Sequence, residues 1–140
     1  MADNVIPAIL SLIRSKSDLV ALFGDNPQRI YPNVLPGGLT TFPAATYDVV
    51  SQVGNRTFDG ASRYDFNNID FTVYGSNKSS VDAATQALRR HLEDSKGTFE
   101  DVFIAGVSYV GGGADGWNDT MNKYSKQIEL KIDHKRTRTP

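Results

Sequence analysis

The stretch that decides the fold is YDFNNIDFTVYGSNKSSVDAATQALRRHL, residues 64–92. Residues 69–74 alternate apolar and polar side chains, so Ile69, Phe71 and Val73 should share one face of a strand. Turn formers then end the extended run. The apolar residues that follow recur at helical spacing: Val81, Ala84, Leu88 and Leu92. This pattern predicts a strand and a helix that bury their apolar faces against each other.

The start of this helix carries a capping-box pattern. The Ser79 hydroxyl would accept a hydrogen bond from the amide of Asp82, and the carboxylate would reach back to the amide of Ser79. An N-terminal helix is predicted from an earlier apolar stripe, and Ser17 could restart a short helix that ends at Gly24.

Four further segments are predicted to be strands or a weak edge strand: residues 30–32, 44–51, 102–111 and 127–133. Tyr64 and Phe66 are out of phase with Ile69, which indicates either a bulge at residues 67–68 or a sheet covered on both faces. Two polar, turn-rich segments are predicted to be long hairpin loops, residues 54–63 and 111–122. The fold class is therefore predicted to be α+β. It should have a mainly antiparallel sheet of about four to five strands, with the N-terminal helix and a second helix packed on it.

The composition of the 140 residues is that of an ordinary single domain. The net charge of -1 argues against a dedicated nucleic-acid binder, and the absence of cysteine excludes disulfides and thiol nucleophiles. No signal peptide is visible, and no apolar run is long enough to cross a bilayer. We expect one domain over residues 1–134 and a basic, flexible tail over residues 135–140.

No pattern in the sequence supports an enzyme. His91 and His134 lack a spaced partner, and the glycine run 111–113 lacks the lysine and helix start of a phosphate loop. Asp115 and Asp119 do not match the spacing of a calcium loop. We expect no catalytic residue, no metal and no cofactor.

The ordered set of motifs resembles the tail-completion, or tail-terminator, proteins of bacteriophages with long non-contractile tails. The features that carry the resemblance are these: residues 19–24 (LVALFG), 29–32 (RIYP), 35–47 with PAATY at its end, 69–75 (IDFTVYG), 87–89 (ALR) and the closing amphipathic strand. The resemblance covers nearly the full chain, although the loops 54–63 and 111–122 are not diagnostic of the family and the basic tail has no match in it.

This resemblance implies a structural virion protein that assembles as a homohexameric ring on the head-proximal end of the tail tube. It would stop tube growth, dock onto the head–tail connector protein, and let DNA pass through its lumen without specific binding. Its partners would be its own copies, the tail tube protein and the connector, with assembly in the host cytoplasm and no membrane involved. A neck or connector adaptor, a tail-tube subunit, and a monomeric binding module remain alternatives.

Two sets of residues are candidates for this role. Subunit or partner contacts are expected from two loops and the tail: Arg56, Phe58, Asp59, Trp117, Lys135, Arg136 and Arg138. An acidic lining of the lumen would avoid binding DNA phosphates, and its candidates are Asp48, Asp65 and Asp70.

Overall fold

The computed structural model describes residues 5–24, 28–35, 41–57, 60–100, 102–118 and 122–135. Its elements are α1 (Ile6–Arg14), α2 (Ser17–Phe23), β1 (Ile30–Pro32), β2 (Ala44–Thr57), β3 (Gly60–Gly75), α3 (Lys78–Leu92), β4 (Gly97–Phe99), β5 (Val102–Asn118) and β6 (Lys123–Lys135). The prediction of an α+β fold is confirmed.

The strands form one mixed sheet in the order β1-β2-β3-β6-β5-β4. The pair β1–β2 is parallel and the other pairs are antiparallel. The sheet thus has six strands within the described residues, where the sequence predicted four to five. The additional strand, β4, is only three residues long and follows directly on the stop of α3, so no alternating pattern could reveal it.

All three helices pack on the same face of the sheet, and their buried side chains join those of the strands in one core. The strand–helix unit predicted from residues 64–92 is confirmed. Ile69, Phe71 and Val73 are fully buried, and Leu88 and Leu92 of α3 pack in the same cluster. On β6 the predicted inward residues Ile128, Leu130 and Ile132 are buried too. The opposite face of the sheet therefore takes no part in this core.

The predicted capping box at Ser79 is wrong. The helix α3 begins earlier, and its N-cap is Asn77, whose side-chain oxygen accepts a hydrogen bond of 2.8 Å from the Ser80 amide. Asn77 has an extended backbone (φ -144°, ψ 159°), as an N-cap requires. Asparagine competes well with serine for this position, so Ser79 lies inside the first turn instead.

The two segments predicted as long loops are largely strand. β2 continues to Thr57, and β3 begins at Gly60. β5 continues to Asn118, and β6 begins at Lys123. Pairing with the neighbouring strand overrides the turn propensity of the glycines and polar residues there.

Of the two alternatives for the change of phase before Ile69, the bulge at residues 67–68 is wrong. The β3–β6 register runs unbroken from Tyr64 to Gly75, and the β2–β3 register shifts between Val49 and Ser51 and between Gly54 and Arg56 of β2. These irregularities are therefore on the edge side of the sheet.

Within the described residues, no helix is long and apolar enough to cross a membrane.

Candidate functional site

The face of the sheet opposite the helices is the candidate site, and we call it the open face. Alternation along the strands sends one set of side chains to the core and the other set to this face. In the part of the chain that the structure describes, no helix packs on it. Its residues on β3 and β6 are therefore only partly buried, and they are mostly polar: Asn68, Asp70, Thr72, Gln127, Glu129, Lys131 and Asp133.

Three carboxylates cross the middle of the open face in a line. Asp48 of β2 lies directly opposite Asp70 of β3, and Asp70 lies directly opposite Glu129 of β6. We call these three residues the acidic row. Directly opposite residues on neighbouring strands have Cβ atoms about 4.5–5.5 Å apart, where like charges repel. The row therefore concentrates negative charge on one strip of the sheet.

The crowding of carboxylates affects the pKa of Asp70. Burial raises the pKa of the Asp70 carboxyl above its usual value, and the charges of Glu129 and Asp48 raise the pKa further. The Asp70 carboxylate accepts a side-chain hydrogen bond of 2.9 Å, from the Gln127 side-chain amide to Asp70 Oδ2. Glutamine carries no charge, so this bond positions the carboxylate without neutralising the row.

The lysine nearest to Glu129 along β6 is Lys131, which contacts Asp133 and Phe66. Lys131 is two residues from Glu129, but its Nζ lies 4.0 Å from Asp133 Oδ1 and 4.3 Å from the centre of the Phe66 ring. Beside the acidic row the sheet opens into a hollow of about 290 Å³, lined by Val110, Gly111 and Gly112 of β5 together with Asp70, Gln127 and Glu129. The small glycines leave this side of the carboxylates accessible.

Of the predicted lumen residues, the structure brings together Asp48 and Asp70. Asp65 lies in β3 opposite His134, and its side chain is outside the described set. Glu129 was missed as a site residue. The alternating pattern of the closing strand predicts that Glu129 points outward. No sequence signal shows that it pairs with Asp70, because that pairing depends on the register.

Three of the predicted contact residues are among those that the structure describes, and they lie toward the ends of their strands. Arg56 is in β2 opposite Ala61, and Lys135, predicted to begin the tail, is the last residue of β6, opposite Tyr64. Trp117 of β5 is 49% exposed and packs edge-on against Tyr124, with 5.0 Å between ring centres. Phe58, Asp59, Arg136 and Arg138 lie outside the described residues.

The two histidines lie apart from the acidic row. His91 of α3 has its Nε2 atom 3.1 Å from Asp18 Oδ2 of α2, which links two helices, and His134 is buried near the end of β6. Across the described part of the chain, no group of three or more histidine, aspartate or glutamate residues is arranged to hold a metal ion.

Comparison with known proteins gives one informative result. No family model matches the chain, and no curated protein matches it. Chains of solved structures do match, among them one from a structure described as "Virion of native gene transfer agent (GTA) particle". The match has a TM-score of 0.71 and 13% sequence identity, and it covers 91% of this chain and 92% of that chain. At this identity the likeness establishes a shared fold.

Proposed function

We propose that this protein is a structural subunit of a phage-like virion, and specifically a ring-forming tail terminator. The observation that carries the proposal is the shared fold, which extends over 91% of this chain and 92% of a chain from a gene transfer agent virion. A likeness over both full lengths favours a subunit of similar overall design. The ordered motifs described above favour the terminator role among virion proteins.

The acidic row supports a role as the wall of a lumen through which DNA passes without being bound. Phosphates bind lysine and arginine with release of counterions, so a conduit lined by carboxylates holds DNA less than a basic one. Asp48, Asp70 and Glu129 lie on the side of the sheet without helices. In the proposed ring the open face lines the lumen and the helices lie outside.

The proposed partners follow from the two ends of such a ring. One end would sit on the tail tube protein and the other would meet the head–tail connector, at the head-proximal end of the tail. The hairpin at Arg56, Phe58 and Asp59 remains a predicted contact, as do Trp117 and the basic residues Lys135, Arg136 and Arg138. No cofactor or catalytic residue enters this function.

The test is the mass of the purified full-length chain in solution, measured by native mass spectrometry at micromolar concentration. The proposal expects one closed species of several copies, with six as the count that the family resemblance implies. A strict monomer at every concentration would contradict the proposal and favour a monomeric binding module. A broad distribution of ever longer polymers would instead favour a tail-tube subunit.

A further inference from the structure

The outermost strands of the sheet, β1 and β4, are three residues long, so each leaves much of the long strand beside it unpaired. β1 covers β2 at Ala45–Tyr47, and the Asn33 amide donates a 3.0 Å bond to the Tyr47 carbonyl. β4 covers β5 at Val102–Ile104, and the Asp94 amide donates a 2.8 Å bond to the Val107 carbonyl. Among the described residues, no strand pairs with the outer edge of β2 over residues 48–57 or of β5 over residues 108–118. We call these segments the β2 edge and the β5 edge.

Exposed apolar side chains concentrate on the same two segments. Val49 and Val50 on the β2 edge are 46% and 54% exposed, and Val110 and Trp117 on the β5 edge are 52% and 49% exposed. An unpaired strand edge is a template for another strand, and proteins that stay monomeric usually protect it with charge, proline, short length or bulges. Both segments contain register shifts, but the two exposed apolar side chains on each form a surface that an added strand would cover. Both edges therefore have the character of an interface.

We propose that the β2 edge of one copy pairs with the β5 edge of the next copy, so that the sheets of the ring form one continuous wall. The proposal rests on the proposed function for closure of the ring. A second copy is the fitting occupant because one chain carries both edges, and the unpaired backbone groups and exposed apolar side chains of each edge can pair with and cover those of the other. Such a contact is head-to-tail, and it gives a ring when the rotation closes.

Strand direction agrees with this pairing. The pairs β2–β3, β3–β6 and β6–β5 are all antiparallel, so β2 and β5 run in opposite directions within one copy. A rotation about a ring axis that the strands cross at less than about 45° keeps the two strands running in opposite senses along that axis. The β2 edge of one copy would therefore meet the β5 edge of its neighbour as an antiparallel pair.

The two edges are offset along the sheet, and a closed wall accommodates that offset. The β2 edge begins level with Glu129 and continues toward the end of β6 at Lys135, whereas the β5 edge begins level with Lys131 and continues toward Lys123. Strands in a closed sheet tilt by roughly 35–45° from the axis, which shifts each strand along its neighbour. The edge pairing therefore requires a tilt in the sense that brings the two edges to one level, and the disulfide scan below covers several registers for this reason.

A groove beside the β5 edge offers space for side chains of the added strand. It lies between α3 and the strands β5 and β6, has a volume of about 560 Å³, and includes Arg89, Tyr109 and Ile128 in its lining. The Arg89 guanidinium lies 3.7 Å from the centre of the Tyr109 ring, which holds the floor of the groove in place. Val49 lies opposite core residue Ile69, on the helix-bearing face, so Val49 of the neighbour would project toward this groove.

Disulfide scanning tests the pairing directly, because the chain contains no cysteine. Val50→Cys is combined in turn with Val110→Cys, Gly111→Cys, Gly112→Cys or Trp117→Cys, which spans the register. A side chain at Gly111 would meet no atom within 4 Å. The full-length variants are oxidised with copper-phenanthroline and run on a non-reducing denaturing gel. Val50→Cys alone and Val50→Cys with Ala83→Cys, on the exposed side of α3, are the controls.

The expected result is a ladder of covalent multimers from at least one β2–β5 combination and none from either control. Rings in native mass spectrometry without a ladder from any combination would overturn the edge pairing while leaving the ring intact. Dimers from Val50→Cys alone would overturn it as well, because they would show two β2 edges meeting. Monomers throughout would overturn the proposed function and the edge pairing together.

Discussion

Asp70 and Glu129 lie directly opposite each other on the two central strands of the sheet, β3 and β6. Like charges directly opposite each other on neighbouring strands are destabilising, and here Asp48 also lies opposite Asp70 on the other side. The arrangement costs stability in the isolated subunit. A conduit for DNA would require negative charge on this face, and such a requirement would explain why the unfavourable arrangement is present.

Asp70→Asn should stabilise the subunit at pH 7 by about 0.2–1 kcal/mol, because it removes a like-charge pair and keeps an oxygen for the Gln127 amide. The pKa of Asp70 is raised, so the folded state binds this proton more tightly than the unfolded state. The Asp70 contribution to stability therefore falls as the pH rises through its pKa and stays unfavourable at neutral pH. The variant should lose this part of the pH dependence.

Urea denaturation at pH 7 and pH 4 measures this effect. Asp133→Asn is the matched control, since the Asp133 carboxylate lies 4.0 Å from Lys131 and its loss should bring no gain. Equal stability changes for the two variants would contradict a specific repulsion in the acidic row.

Asn77→Ala should lower the free energy of unfolding by about 0.5–2 kcal/mol, because the Ser80 amide loses its acceptor at the start of α3. Ser79→Ala should change it little, since Ser79 lies within the first turn and is exposed. Thermal or chemical denaturation distinguishes the two positions. A larger loss for Ser79→Ala would restore the capping box that the sequence predicted.

Val50→Lys should weaken assembly and leave the subunit folded, because a lysine on the β2 edge disfavours strand addition. Loss of about 1.5 kcal/mol of apolar burial at each contact corresponds to roughly tenfold weaker association. Native mass spectrometry across a dilution series measures the shift, with circular dichroism as the check on folding. Ala83→Lys on α3 is the control, and an equal shift for both variants would argue against the β2 edge.

Deletion of residues 136–140 should leave the melting temperature unchanged, since β6 ends at Lys135 and its core residues precede the cut. If the basic tail docks on an acidic partner, tails carrying the truncated protein should join heads less often at low salt. The difference should shrink as salt rises, because exposed charges are screened beyond roughly 8 Å at physiological ionic strength. Equal joining at low salt would exclude a docking role for the tail.

The strand–helix unit and the closing strand could be predicted because each carries a local period. Ile69, Phe71 and Val73 alternate, and Leu88 and Leu92 are spaced for one helix face, so burial follows from the pattern alone. The continuation of the strands through the two predicted hairpin loops could not be predicted. Gly111 and Gly112 have low strand propensity, and only their pairing with Glu129 and Ile128 of β6 makes them strand.

The acidic row was predicted in part for a similar reason. Asp48 and Asp70 each occupy an outward position in a recognisable strand, which made them candidates. That they meet Glu129 depends on the register across three strands, and the register of β2 shifts at the bulge after Val49. A one-residue slip would send these carboxylates to the other face, so no local pattern specifies the row.

The most direct test of the central claim is a three-dimensional reconstruction of the purified full-length chain by electron microscopy. The account predicts closed rings with a central opening, in which Asp48, Asp70 and Glu129 face the opening and α1, α2 and α3 form the outer wall. Single subunits only, or rings whose opening is lined by the helices, would contradict it.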